Sequence, residues 1–207
     1  MSKYKLYYSP LTCSMAVHAV LNAVNAEFEL VRIERGTKRS AEHLQLNPLG
    51  QVPVLIEDGV VLRESAAIMI HLLEKFKHPL LPPSGDSRRK TLQWLLFFNS
   101  SMHQAHAAYF LTARNIEDAK IAEPVLNLMA KRIQKLWEYV EDEINSEFLC
   151  GDSPSAADIL MTVIANWAQA INPSPVTGEK VKAICSKVIK LPYFAKTLET
   201  EGVIYKL

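Results

Sequence analysis

The sequence is poor in cysteine and has no long apolar run. Its 207 residues include three cysteines, Cys13, Cys150 and Cys185, which are odd in number and far apart. This argues against a disulfide framework and favours a reducing, cytoplasmic location. Polar residues interrupt every apolar run well short of the roughly 20 residues that a membrane-spanning helix needs. We therefore expect no membrane-spanning segment.

Excess charge of either sign is also absent. The formal net charge is +1 and no block of like charges occurs, so neither a nucleic-acid partner nor a charged interaction tail is predicted. The chain starts with a strand-like run rather than a charged and then apolar leader, and we expect no signal peptide. The histidines and cysteines lack the spacing of metal ligands, and no glycine-rich phosphate loop occurs. The sequence therefore predicts neither a metal nor a nucleotide cofactor.

Apolar residues make up 49% of the chain, enough for a sizeable core. The first 76 residues alternate between strand and helix patterns, and Asp58-Gly59 between two apolar runs indicates a hairpin. The predicted elements are strand Tyr4–Tyr8, helix Cys13–Val24, strand Phe28–Ile33, a short helix at 40–46, strands Val52–Ile56 and Val60–Leu62, and helix Ser65–Phe76. This β-α-β-α-β-β-α order predicts a mixed sheet with helices on its faces.

The composition changes at residues 78–86 (HPLLPPSGD), where three prolines and a glycine cannot continue a helix. After this segment only helical periodicity remains. We therefore predict a domain at 1–77, a linker at 78–86 and an all-helical domain at 87–207. Within the second domain, Ser155 and Asp158 have the spacing of a capping box, in which each side chain bonds to the other residue's backbone, and we expect a helix to begin there.

Cys13 lies where the first helix is predicted to begin. A helix N-terminus carries a partial positive charge and free N–H groups, which lower the pKa of a cysteine and favour the reactive thiolate. The second cysteine of a C-x-x-C pair is absent, because position 16 is Ala16. A reactive Cys13 would therefore pair with an external thiol. The alternative, an inert buried cysteine, stays open.

Two further segments are candidates for ligand contacts. A proline at a strand start, Pro53, is compatible with a cis bond that turns the backbone of Val52 toward an extended ligand, or with a trans proline on an edge strand. Ser65 begins a predicted helix, whose N-terminus can bind a carboxylate, and Glu64 beside it can hold an ammonium group. This combination suits an amino-acid head group. The alternative is an ordinary helix-capping serine.

Together these segments resemble the glutathione transferases, and among them the bacterial beta class. The resemblance covers essentially the whole chain, in order and with near-family spacing. The matching segments are Tyr7–Pro10 (YYSP), Cys13–His18, Asn47–Leu55, Glu64–Ser65, Cys150–Asp152 with Asp158, and Glu201–Gly202. The resemblance implies an α+β fold class: a thioredoxin-like N-terminal domain followed by an all-α helical-bundle C-terminal domain.

The resemblance also implies roles at the site, with glutathione as co-substrate and no other cofactor. Cys13 would face the glutathione sulfur and form a mixed disulfide with it, and a histidine on the first long helix of the second domain, His103, would approach the same sulfur. The predicted glutathione-binding residues are Thr12, Lys38, Val52, Pro53, Glu64 and Ser65. His18 is interpreted as a packing or hydrogen-bonding residue, and Tyr7 and Tyr8 as alternative activators of the sulfur.

The second substrate would occupy an apolar pocket near Leu11, His106, Tyr109 and Trp167. The implied activity is conjugation of the glutathione thiolate to small hydrophobic electrophiles, as in detoxification, with thiol–disulfide exchange through Cys13 as a further activity. The implied assembly is a homodimer. A dedicated glutathione-dependent dehalogenase or isomerase, or a non-catalytic interaction protein on the same fold, are the alternatives.

Overall fold

The structure is a computed structural model that describes residues 3–206. Its first part is a four-stranded mixed sheet with three helices: β1 Tyr4–Tyr8, α1 Ser14–Ala23, β2 Phe28–Arg32, α2 Ala41–Leu46, β3 Val54–Glu57, β4 Val60–Arg63 and α3 Ser65–Lys75. The strand order is β2-β1-β3-β4, with β1 parallel to β2 and antiparallel to β3, and with β3 antiparallel to β4. The predicted β-α-β-α-β-β-α order and the hairpin are confirmed.

The second part is helical. Its helices are α4 Gly85–Phe97, α5 His103–Asn115, α6 Ala119–Glu143, α7 Ala156–Ala165, α8 Glu179–Val188 and α9 Pro192–Glu201. A π-helical turn, Phe98–Met102, joins α4 to α5. None of the helices within residues 3–206 is long and apolar enough to cross a membrane.

Helix α1 connects the two parts. Nine of its ten residues are buried, and these include the polar residues Ser14, His18 and Asn22, so the helix lies inside the protein. It packs against α3 in the first part and against α7 and α9 in the second. The buried side chains of both parts therefore form one continuous core.

Two buried hydrogen bonds join α1 to α9. The Nδ1 atom of His18 lies 2.9 Å from Oε1 of Glu201, and the Asn22 side chain donates to the Thr197 hydroxyl at 2.9 Å. Because buried polar groups are costly without partners, these pairs favour one relative position of the two helices. The predicted hydrogen-bonding role of His18 is confirmed.

Helix α7 lies at the centre of the helical part, with all ten of its residues buried. Ser155 and Asp158 form the predicted capping box at its start. One Asp158 oxygen accepts the Ser155 N–H at 2.8 Å, and the other accepts the Leu149 N–H at 2.9 Å. The carboxylate therefore ties the preceding loop to the helix as well as capping it.

Candidate active site

A cavity of about 910 Å³ lies between the two parts of the chain. The first part contributes the turn after β1, Leu11–Cys13, together with Arg35 and Gln51. The second contributes one face of α5 and residues from segments 166–170 and 204–206. A cleft between two structural units is a common location for a small-molecule site. The cavity is therefore the candidate active site.

Cys13 precedes α1 as its N-cap residue and reaches the cavity wall, but its side chain is mostly buried, with 6% of the residue exposed. Its thiol donates to the Val52 carbonyl over 3.7 Å. Burial raises the pKa of Cys13 from 9.0 to about 11, and a hydrogen bond with the Ser65 hydroxyl offsets only part of that effect. The expectation that the helix N-terminus lowers this pKa is wrong, because desolvation outweighs the partial charge. At neutral pH Cys13 is a thiol.

Thr12 lies on the same turn and also lines the cavity. Its hydroxyl donates to the Ser9 carbonyl at 2.7 Å and lies 2.7 Å from the Ser14 hydroxyl. These bonds hold the turn that carries Cys13. Thr12 is half-buried, and it both stabilises the turn and lines the cavity.

The Val52–Pro53 peptide bond is cis. The Val52 carbonyl accepts the Cys13 thiol, so this backbone lies directly beside Cys13. Val52 is half-buried and Pro53 is buried at the start of β3. Neither residue lines the cavity, and the Val52 carbonyl joins this segment to Cys13.

Ser65 begins α3, as predicted, and Glu64 precedes it with a φ of 69°. A positive φ is strained for a residue other than glycine and is frequent at functional sites. The Ser65 hydroxyl donates to the Asn99 side chain at 2.9 Å. Since Asn99 belongs to the π turn before α5, this bond connects the N-terminus of α3 to the helix that carries His103. π turns are themselves common at functional sites.

His103 is the first residue of α5 and lines the cavity. Its ring centroid lies 5.2 Å from that of Trp167. Burial lowers the pKa of His103, because a charged imidazolium loses hydration there. At neutral pH the ring is therefore neutral and has one nitrogen that can accept a proton.

The structure does not bring His106 to the cavity. Its side chain is fully buried, and its Nδ1–H donates to the Met102 carbonyl at 2.9 Å. The ring lies edge-on to Trp137 and Trp167, at 6.2 and 6.0 Å between centroids. Burial lowers the pKa of His106 to about 4. Packing against Trp137 and the bond to the Met102 carbonyl direct its ring toward the helical core instead of the cavity.

The other three predicted pocket residues, Leu11, Tyr109 and Trp167, do line the cavity. Leu11 is 40% exposed and has a φ of 59°, which holds its side chain at the cavity mouth in a strained backbone conformation. The Tyr109 hydroxyl donates to the Asn172 carbonyl at 3.1 Å and accepts the Asn172 N–H at 2.9 Å. These bonds fix the segment that follows Trp167 and Ala170.

Lys38 is exposed and does not line the cavity, whereas Arg35 in the same loop does.

The two tyrosines predicted as alternative activators of the sulfur also lie away from the cavity. The Tyr7 hydroxyl donates to Glu42 at 2.7 Å, and burial together with this bond raises its pKa to about 12. Tyr8 is buried, which raises its pKa too. Neither hydroxyl is available at the cavity.

Sequence reasoning missed most of the residues that line the cavity, among them the charged or aromatic residues Arg35, Phe110, Arg114 and Lys206. One signal was present for two of them. Phe110 and Arg114 follow His103 at intervals of seven and eleven residues, which places them on the same face of a helix.

Within residues 3–206, no group of three or more His, Cys, Asp and Glu side chains could hold a metal ion.

Two family models match the chain. The N-terminal domain of glutathione S-transferase matches residues 2–74, and the C-terminal domain of glutathione S-transferase matches residues 92–188. Together they cover most of the chain in the order of the two structural parts. The chain therefore belongs to the glutathione S-transferase family, a family of transferase enzymes, and has its fold: a thioredoxin-like first domain followed by a helical one.

Similar proteins match this chain over most or all of their own length. Glutathione S-transferase GstA of Escherichia coli O157:H7 is 29% identical over 96% of this chain and 99% of its own. Glutathione S-transferase GST-4.5 of Xanthomonas campestris pv. campestris is 33% identical over 79% of this chain and 82% of its own. The solved structure of a glutathione transferase from Methylococcus capsulatus is 30% identical, with a TM-score of 0.81 over 97% of this chain and all of that one.

Proposed function

We propose that this chain is a bacterial transferase of the beta class that joins glutathione to small hydrophobic electrophiles. The glutathione thiol gives up its proton and its sulfur forms a bond to an electrophilic carbon. A leaving group then departs with its electron pair, or an activated double bond takes up the proton. The observation that carries the proposal is the cavity between the domains, which has Thr12 and Cys13 on one wall and His103 on the other.

We place the glutathione sulfur at the Thr12–Cys13 turn. We assign the γ-glutamyl group to the N-terminus of α3, where free backbone N–H groups and the Ser65 hydroxyl, after leaving Asn99, bind its carboxylate and Glu64 binds its ammonium. The backbone of Val52, before cis Pro53, pairs with the cysteinyl group. At the glycyl carboxylate Arg35, which lines the cavity, replaces Lys38.

His103 acts on the proton of the glutathione thiol. The lowered pKa of His103 favours a neutral ring at physiological pH, and a neutral imidazole accepts a proton from the thiol as the sulfur attacks. Thr12 donates a hydrogen bond to the resulting thiolate after leaving the Ser9 carbonyl. Cys13 is a buried neutral donor beside the sulfur rather than a second thiolate.

A second candidate activity is thiol–disulfide exchange. Cys13 would displace one half of glutathione disulfide, forming a mixed disulfide and releasing one glutathione thiol, with no other oxidant needed. The position of Cys13 on the cavity wall favours this activity, but its pKa of about 11 leaves little thiolate to start it. Conjugation is therefore the primary proposal. A dedicated dehalogenase or isomerase would use the same groups.

We further propose a cytoplasmic homodimer with a role in detoxification, and domain limits of 1–77 and 87–207 joined by a linker at 78–86. The free state of all three cysteines is compatible with a reducing compartment. Light scattering coupled to size exclusion should give twice the subunit mass of 23.3 kDa. A single subunit's mass would exclude the dimer.

Calorimetric titration of the reduced protein with glutathione tests the proposal. We expect saturable binding, and we expect Ser65→Ala to weaken it by about 1–2 kcal/mol, the scale of a hydrogen bond to a charged group. Ser87→Ala, at an exposed position of α4 away from the cavity, is the matched control. No heat of binding from folded protein would overturn the enzyme assignment and favour a non-catalytic interaction protein.

A further inference from the structure

The cavity is elongated along one face of α5. Residues 103, 107, 110 and 114 are spaced by four, three and four positions, which is one stripe of an α-helix, and all four line the cavity. Eleven residues at the helical rise separate His103 from Arg114 by roughly 16 Å along the axis. A ligand that reacts beside His103 can therefore extend along the helix toward Arg114.

The surface between these two ends is apolar. Ala107 and Phe110 belong to the α5 stripe, and Trp167 and Ile204 face the same cavity from other segments. Leu111 and Ile204 are 62% and 80% exposed, although large apolar side chains tend to be buried. A hydrophobic chain or ring in the cavity would cover this surface.

Arg114 supplies a positive charge at the far end of the stripe. Its Nε donates to the Phe110 carbonyl at 3.0 Å, which holds the side chain against α5. No carboxylate among the described residues forms an ion pair with Arg114. Its two terminal nitrogens are therefore available, and their planar arrangement matches the two oxygens of a carboxylate.

The charges around the cavity have one sign. Arg35, Arg114 and Lys206 line it, and no aspartate or glutamate does so among residues 3–206. Arg35 is on the glutathione side, whereas Arg114 and Lys206 belong to the helical domain. Lys206 is positioned by its backbone N–H, which donates to Asn166 at 3.1 Å. The helical wall therefore carries two positive charges that glutathione itself does not require.

We propose that the second substrate is an elongated amphipathic carboxylate, with its electrophilic carbon at the His103 end, its apolar body along Phe110 and Trp167, and its carboxylate at Arg114, while Lys206 adds positive charge to the same wall. This rests on the glutathione transferase activity proposed above and specifies its co-substrate. The selectivity follows from the positive charge of Arg114 at the end of an apolar surface, where a neutral molecule leaves that charge without a partner.

The test uses glutathione conjugates in place of reactive substrates, so that binding is measured without chemistry. S-(ω-carboxyalkyl)glutathiones with spacers of about two to ten methylene groups, a range set by the length of the stripe, are titrated beside the matching S-(ω-carbamoylalkyl)glutathiones. Each pair has the same shape and differs in one charge. Unmodified glutathione is titrated with the same protein.

For long spacers we expect the carboxylate to bind at least about tenfold more tightly than its amide, as expected for a charge-assisted pair. Short spacers should show no preference, because their carboxylate does not reach Arg114. Arg114→Gln should reduce the long-spacer ratio to less than about threefold, and Arg114→Lys should restore part of it. Lys206→Gln should reduce it to a smaller extent.

Arg132→Gln is the matched control, since Arg132 is exposed on α6, is remote in sequence from the stripe and does not line the cavity. It removes the same charge and should leave every ratio unchanged. Equal binding of carboxylates and amides at all lengths, or a ratio that Arg114→Gln does not reduce, would overturn the anionic co-substrate while glutathione still binds. If folded protein binds neither glutathione nor any conjugate, the transferase proposal fails and this inference fails with it.

Discussion

At the scale of the residue, two effects act on Cys13 in opposite directions. The N-terminus of α1 favours a thiolate through its partial positive charge, whereas burial removes the water that would stabilise that charge. The result is a pKa raised from 9.0 to about 11. This is why we propose His103, whose burial favours the neutral ring, as the acceptor of the glutathione proton.

The state of Cys13 predicts slow alkylation. Because its pKa is two units above the ordinary value, we expect iodoacetamide to modify Cys13 at neutral pH roughly a hundredfold more slowly than an unperturbed thiol. The rate should rise about tenfold per pH unit up to the pKa of about 11. Peptide mass spectrometry on a Cys150→Ala, Cys185→Ala background measures it.

The same background carrying Cys13→Ala should show no modified cysteine, which confirms the assignment of the signal. Rapid alkylation whose pH midpoint lies below the ordinary value would show that Cys13 is a thiolate. In that case Cys13, rather than His103, would be the group to test first for thiol–disulfide exchange.

At the scale of the element, helix α5 carries most of the helical domain's contribution to the site. The π turn at Phe98–Met102 precedes it and presents Asn99 to Ser65. The helix then orients one stripe toward the cavity and turns His106 toward the core. His103 faces the cavity and His106 does not. The packing of α5 on α6, where Trp137 contacts His106, decides between them.

Helix α7 provides an element whose initiation can be tested directly. Ser155→Ala removes half of its capping box, and we expect it to lower the free energy of unfolding by about 0.5–2 kcal/mol, the usual cost of losing an N-cap. Urea unfolding followed by circular dichroism measures the change. Ser87→Ala on the exposed surface of α4 should change stability by less than about 0.5 kcal/mol. Equal stabilities of the two variants would show that the box contributes nothing.

At the scale of the whole molecule, the two domains share one core. Helix α1 of the first domain is enclosed between α3, α7 and α9, and two buried hydrogen bonds connect it to α9. Removing the helical domain would expose most of α1. Neither domain therefore has a complete core of its own.

This shared core predicts a single unfolding transition. All three tryptophans, Trp94, Trp137 and Trp167, lie in the helical domain, so their fluorescence reports on that domain, whereas far-ultraviolet circular dichroism reports on both. We expect the two signals to change at the same urea concentration. Thr197→Val, which removes the partner of Asn22, should shift both curves together. Two separated transitions would show that the domains unfold independently.

The sequence by itself determined the order of the elements, because hydrophobic periodicity, the Asp58-Gly59 turn and the capping box at Ser155 act locally. It also identified Cys13, His103 and Trp167 at the cavity, through a resemblance that covers the whole chain. The tertiary structure alone decided what depends on burial and direction. Desolvation sets the protonation of Cys13, the packing of α5 excludes His106, and the loop places Arg35 rather than Lys38 at the cavity. These outcomes depend on contacts between residues distant in the chain, and local patterns contain no information about them.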